Sequence, residues 1–344
     1  MDETKRRHSL RRCVAALCAM LFFAFALGAS TVRALGEEAV RVVPVGRAVG
    51  VKLFADGVLV VGLSDGETAA KDVGLREGDI LLTFNGTQID SSEHLRKLIA
   101  ENGDARATLN VQRGAKMLSL DVTPQRDAEG ACHLGAWIRD SMAGIGTMTF
   151  YDPQSGAFGA LGHGVTDVDT GALMPLQSGS IMDASVKAVK KGIRGDPGEL
   201  RGEFDLTRDC GTLSANTDCG IFGVIAEPDE ALRSSAALPV APQEEIHTGK
   251  ATILANCSGT EVREYAIEIE KIYHGAQPAR NLLLRVTDEA LLDATGGIVQ
   301  GMSGSPILQD GKLIGAVTHV LVNDATRGYG IFIENMLQAA DLSA

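Results

Sequence analysis

The sequence predicts a mainly β protein in which a small α+β unit precedes a larger all-β unit, behind an apolar N-terminal helix. Three observations carry this. Beyond residue 48 the apolar residues fall in short, β-branched runs separated by Gly, Asn-Gly and Asp-Gly turns, the pattern of hairpins. Ser91 to Ile99 has a helical pattern, with a serine to cap it and Leu95, Leu98 and Ile99 on one face. Val14 to Ala29 runs without a charge behind Lys5, Arg6, Arg7, Arg11 and Arg12.

That basic and apolar start reads as an export segment over residues 1–36, either a signal peptide or a membrane anchor. The charge-free run is shorter than the roughly 20 residues that span a bilayer comfortably. Ala26-Leu27-Gly28 and Ala34-Leu35-Gly36 offer small residues for cleavage, whereas Ser30, Thr31 and Val32 extend the span. Both readings place the rest of the chain outside the cytoplasm. At 344 residues, 45% hydrophobic and 22% charged, the chain has the composition of a globular protein with room for two domains. Its net charge of −12, with no basic tract beyond the N-terminus, argues against a nucleic-acid partner. Of the six cysteines, Cys13 and Cys18 lie in the export segment; Cys210 and Cys219 bracket a polar stretch that a disulfide would close in an oxidising compartment, with free thiols as the alternative.

Residues 37–48 read as a linker and 49–124 as the first folded unit. Its phrases run in order: Val49-Gly50-Val51, Gly57 to Gly62, Val73-Gly74-Leu75, Glu77-Gly78-Asp79-Ile80-Leu81-Leu82, Asn85-Gly86, the Ser91 to Ile99 helix, and a hairpin from Ala107 to Arg113 and Met117 to Val122. The set resembles a PDZ domain. Such domains bind an extended peptide as an added strand and hold its terminal carboxylate on loop amides. The resemblance puts that loop at Val49, Gly50 and Val51, with His94 or Leu98 as a contact from the helix; a solvated surface position is the plainer reading of His94.

A polar stretch, residues 125–130, reads as a second linker, leaving 131–344 for the larger unit. Its leading feature is Gly301-Met302-Ser303-Gly304-Ser305-Pro306. A serine needs a base to take its proton and backbone amides aimed at the oxyanion, and flanking glycines let the chain supply those amides. Ile307-Leu308, the turn around Asp310-Gly311, and Leu313 to Val320 follow as a hairpin, then a strand over Gly328 to Ile333 and a short helix over Glu334 to Ala340. This order is similar to the end of a chymotrypsin-like double β-barrel. His163, framed by Gly162 and Gly164 and 140 positions before Ser303, is the favoured base; His319, sixteen positions after Ser303, is the alternative and otherwise touches substrate beside Thr318. Without His-Glu-x-x-His or Cys-x-x-Cys, neither a metal nor a cofactor is expected.

Gly159 to His163, Gly192 to Glu199, Val286-Thr287-Asp288, Thr295 to Pro306, and Gly315 to Val320 with Val322-Asn323-Asp324 together resemble the stage IV sporulation protein B serine peptidases. The resemblance covers nearly all of the chain after the export segment. It implies a membrane-associated serine endopeptidase of endospore-forming bacteria, with a PDZ domain ahead of the peptidase domain. It further implies a triad of His163, Asp288 and Ser303, an oxyanion hole from the amides of Gly301 and Ser303, and Thr318 and His319 at the substrate wall. The implied role is self-cleavage, and cleavage of a regulatory membrane protein of an intramembrane protease complex. That activates processing of a late sigma factor, from the space between forespore and mother-cell membranes. The PDZ partner would be a peptide C-terminus or the chain's own N-terminal segment, with that segment also holding the membrane. On the residues alone the acid stays open, because Asp167 and Asp169 follow His163 closely whereas Asp288 stands only fifteen positions before Ser303. Two rival classes remain. A non-catalytic exported PDZ scaffold would lack a triad residue, and an HtrA-like quality-control protease would carry its peptidase domain first.

Overall fold

Alternation of Val51, Leu53 and Ala55 with the more exposed Lys52, Phe54 and Asp56 makes a half-buried strand, which continues through Val58 and Val60 as a single 16-residue element, β1 (Ala48–Leu63). The computed structural model describes residues 40–342 apart from 276 and 278, so the export segment lies outside the described residues. Gly57, at φ +83°, and a register shift between Phe54 and Leu59 divide β1 so that its halves serve two sheets.

The second half of β1 pairs with β2 (Ile80–Phe84), which pairs with β3 (Ala107–Arg113), which pairs with β4 (Lys116–Val122), all antiparallel. The helix α1 (Ser92–Asn102) packs on this sheet. Ser91 caps it by accepting from the His94 amide, and Leu95 and Ile99 enter a core with Val60, Leu81, Phe84 and Leu109. Burial of each such large apolar side chain contributes about 2 kcal/mol. Asp79, 1% exposed, ties the sheet's edge together: it accepts from Arg113 Nε and Nη2 at 2.7 Å each and from the Arg76 amide at 2.9 Å.

The first half of β1 belongs to a barrel. It pairs with β5 (Ala136–Tyr151), which pairs with β6 (Ala157–Ala160); β7 (Ser178–Lys190), β8 (Glu199–Thr217) and β9 (Gly220–Val224) complete the circuit. The ring runs β1-β5-β6-β9-β8-β7 and returns to β1. A second closed barrel contains β10 (Gly249–Ser258), β11 (Glu261–Ile272), β12 (Leu282–Val286), β13 (Pro306–Gln309), β14 (Lys312–Leu321) and β15 (Asp324–Phe332), in the order β10-β11-β12-β15-β14-β13. The helix α2 (Glu289–Thr295) leads into the Gly301 to Pro306 segment, and α3 (Ile333–Ala339) closes the chain with Ile333, Met336 and Leu337 buried. The hairpin after Pro306 is present as expected, with Asp310 at φ +51° and Gly311 at φ +76° in its turn, both positive as a two-residue hairpin turn requires.

The strand pairings bear on three expectations. β1 and β5 both run from the small sheet into the first barrel, so the two folded units share strands. Gln125–Arg126 is itself paired with Cys132–His133 rather than forming a linker. Val49, Gly50 and Val51 are not a peptide-binding loop. They pair with Gly146, Ile145 and Gly144 on one side and with Asp183, Met182 and Ile181 on the other, so no open edge remains for an added strand. Finally, Cys210 and Cys219 are free thiols, and the stretch between them is mostly strand β8.

Asp79 is buried and Arg113 supplies its only cationic partner among the described residues. Arg113→Ala should therefore destabilise the protein by about 3 kcal/mol, the cost of leaving a buried carboxylate unpaired. The check is a fall in the urea midpoint, and Arg113→Lys should restore only part of it because the two-pronged contact is lost.

Candidate active site

The Gly301 to Ser305 loop is positioned by hydrogen bonds from both barrels. From β5, the Thr147 amide donates to Ser303 O at 2.9 Å, Thr147 Oγ1 to Gly301 O at 2.8 Å and Thr149 Oγ1 to Gly304 O at 2.8 Å. From β14, Val317 O accepts from the Gly304 amide at 2.7 Å, and the Val317 amide donates to Ser305 O at 2.9 Å. Gly301 and Gly304 sit at φ +95° and +97°. A Cβ at Gly304 would lie 2.0 Å from Thr147 O, so only glycine allows the barrels this close. The amides of Gly301 and Ser303 donate to no acceptor among the described residues.

Ser303 Oγ donates to Thr318 O at 2.7 Å. Thr318 is buried and its own hydroxyl donates to Ala279 O at 2.7 Å. The strand β14 thus holds the serine through a main-chain carbonyl.

His163 follows β6 at a strained corner, with Leu161 at φ +71° and Gly162 at φ +69°. A non-glycine residue at positive φ costs of order 1 to 3 kcal/mol and concentrates at functional sites. His163 Nδ1 lies 2.8 Å from Gly164 O. A carbonyl only accepts, so Nδ1 carries the proton and Nε2 presents its lone pair. Burial pushes the His163 pKa down, opposed by the bond to Gly164. The ring of His319 stands 5.0 Å from that of His163, tilted by 38°. Burial foremost, then the neighbouring His163 and Arg280, bring His319 down to about 4. Its Nδ1 is buried without a hydrogen-bond partner among the described residues.

His163, Gly301, Ser303, Thr318 and His319 all line one cleft of about 550 Å³ between the barrels. Val51, assigned from the sequence to peptide binding elsewhere, lines this cleft too. Asp288 does not. Its carboxylate is the N-cap of α2, accepting from the amides of Ala290 at 3.0 Å and Leu291 at 3.1 Å, and from Ala266 of β11 at 3.2 Å. The expectation that Asp288 hydrogen-bonds the imidazole is therefore corrected: both its oxygens serve backbone amides, and His163 Nδ1 is given to a carbonyl. Asp167 and Asp169 are engaged by Arg139 of β5, and Asp167 also accepts from Thr170. None of the three aspartates bonds to His163 in the structure.

Thr147 and Thr149 escaped the sequence reading. Their signal was faint: two threonines two apart in an apolar strand, hence on one face, where a buried hydroxyl must find a carbonyl.

A second cleft, of about 360 Å³, lies between α1 and the segment from Cys132 to Ile138. Leu95, Arg96 and Ile99 face it from the helix, and Leu134, Gly135, Ala136 and Trp137 from the other side. Gly135 is at φ +76°, and the Leu134 and Gly135 amides donate to no acceptor among the described residues. Residues 136–139 pair only with β1, so one edge of that strand is open. This is the arrangement that strand addition requires, supplied by residues that follow the small sheet in sequence. His94 instead contacts Asp90, with Nδ1 3.2 Å from its carboxylate.

A model of the SpoIVB peptidase S55 family matches residues 130–337, and a PDZ domain model matches residues 37–123. No curated protein matches the chain. Among solved structures, the Rv3671c protease of Mycobacterium tuberculosis in its active form is 15% identical, covering 59% of this chain and 76% of its own, with a TM-score of 0.33. The PDZ domain of the SdrC-like protein of Listeria monocytogenes is 26% identical over 24% of this chain and 87% of its own, with a TM-score of 0.23.

The N-cap geometry distinguishes two roles for Asp288. Asp288→Ala should cost about 1 kcal/mol of stability and lower kcat by loosening the segment that follows α2. Asp288→Ser, which caps equally well but cannot act as a carboxylate, should keep kcat/KM near the wild-type value in a peptide-cleavage assay.

Proposed function

The chain belongs to the SpoIVB peptidase S55 family and is a serine peptidase; on that premise we propose that Ser303 is its nucleophile, His163 its general base and the Gly301 and Ser303 amides its oxyanion hole. One observation carries this reading: Ser303, His163 and the two free amides face one cleft, with the His163 proton held on Nδ1. Ser303 Oγ turns from Thr318 O to His163 Nε2, gives up its proton there and attacks the scissile carbonyl. The Gly301 and Ser303 amides take the developing oxyanion, each such donor being worth about 3 to 4 kcal/mol. Gly164 O accepts from the imidazolium's Nδ1 and holds the ring while Nε2 returns the proton to the leaving amine. Water then repeats the sequence on the acyl-enzyme. Asp288 acts in this scheme as a positioning residue, through α2.

The substrate we propose is protein, held in part at the second cleft. There a peptide C-terminus, or the chain's own N-terminal segment, would add as a strand to residues 136–139, with its terminal carboxylate on the Leu134 and Gly135 amides. Support for the biological role comes from the family. In this reading the enzyme is exported, tethered to the membrane by residues 1–36, and works between the forespore and mother-cell membranes. It cleaves itself and a regulatory membrane protein of an intramembrane protease complex, and so activates late sigma-factor processing.

Ser303→Ala should abolish both self-cleavage and substrate cleavage, a fall of about 10⁶ in kcat; unchanged proteolysis on a gel time course would remove the mechanism. The pH dependence has a defined sign. The base must be neutral, and burial holds the His163 pKa below its ordinary value of about 6.5. Activity should therefore persist below pH 6.5 and fall only as pH drops through that lowered pKa. An acid limb of kcat/KM centred above 6.5 would count against His163 as the base.

A further inference from the structure

The second-barrel wall of the active-site cleft is built by the segment ahead of Ser303 and by the end of the β14 to β15 hairpin. Ile298, Val299, Val320 and Val322 line it, and none of the described residues lining the cleft is charged. Val320 pairs directly with Gly328 across the hairpin. The space above Gly328 is occupied by Ile298, since a Cβ at 328 would lie 2.7 Å from Ile298 Cδ1. Ile298 is itself pinned there: its amide donates to Ala325 O at 2.7 Å and it is 2% exposed. The hairpin's tip is held from behind, where the Gly195 amide donates to Val322 O at 2.8 Å.

The reacting geometry decides which substrate side chain meets this wall. His163 must protonate the leaving amine, so the leaving half of the substrate lies on the first-barrel side. The residue that supplies the scissile carbonyl has its oxygen on the Gly301 and Ser303 amides, and its side chain must point away from His163, against Ile298 and Val320. A charged side chain there would lose water and gain no partner. A ring reaching past Val320 towards Gly328 would meet Ile298, whose Cδ1 fills the space beside that glycine.

We propose that this peptidase cleaves after short aliphatic residues, alanine and valine, with Val320 and Ile298 setting the upper size limit. This specificity rests on the assignment of Ser303 and its oxyanion amides given above. Filling a hydrophobic pocket correctly is worth about 10- to 200-fold per methylene-scale difference. The contrast with charged groups should be larger.

The test uses the full chain and a set of otherwise identical peptides with Ala, Val, Phe, Lys or Glu before the scissile bond, with products identified by mass spectrometry and Ser303→Ala as the blank. Ala and Val peptides should exceed Phe by about tenfold or more in kcat/KM, and Lys and Glu by at least about 100-fold. Val320→Gly should raise the Phe rate relative to Ala, reversing their order. Ile298→Ala should shift the preference the same way, and serves if Val320→Gly does not fold. Ser303-dependent cleavage that prefers Phe, Lys or Glu overturns the specificity and leaves the serine mechanism standing. Absence of any Ser303-dependent cleavage overturns the mechanism beneath it.

Discussion

The two hydroxyls that Thr147 and Thr149 send across to the carbonyls of Gly301 and Gly304 are the interaction on which the active site depends. Ser303 belongs to the second barrel and His163 to the first, so the cleft they line exists only if the barrels hold a fixed spacing. Each hydrogen bond contributes about 1 kcal/mol net, yet losing one strands a buried carbonyl as well as a hydroxyl. Gly304 is the other half of the device, because any side chain there would collide with Thr147 O. With Ser303 O and Gly301 O bound by Thr147, the Gly301 and Ser303 amides donate to no acceptor among the described residues.

The same strand does more than join the barrels. β5 begins beside α1 as the open-edged wall of the second cleft, passes Arg139 with its grip on Asp167 and Asp169, and ends at the threonines that hold the nucleophile loop. Asp167 anchors the loop that follows His163, through Thr170 and through Arg139. A single 16-residue strand therefore carries a wall of each cleft.

The imidazole pair is set by one main-chain acceptor and by burial. With His163 Nδ1 committed to Gly164 O, the tautomer is set by a main-chain acceptor one residue away. His319, brought to about 4 by burial with His163 and Arg280 adding, stays neutral beside it. Both rings are thereby kept in the form in which an imidazole accepts a proton. Asp288 contributes from a distance, by capping the helix that delivers Gly296 to Ser303 to the cleft.

Local signals were enough for much of the architecture. The Ser91 cap with Leu95 and Ile99, the Asp310-Gly311 hairpin, and the glycines around Ser303 each follow from turn chemistry and periodicity within a few residues, and each appears where the sequence places it. Glycines flank both Ser303 and His163, and the two residues line one cleft. What the sequence could not decide is pairing between distant strands. Val49 to Val51 read the same whether their neighbours are a ligand or β5 and β7, and only closure of the first barrel takes both edges and turns Val51 into the catalytic cleft. Asp288 reads the same as an acid or a helix cap until the Ala290 and Leu291 amides are seen to claim it. The residue types came from the sequence, whereas the partner of each buried polar group was decided by the tertiary fold, since hydrogen bonds join whichever groups packing leaves without water.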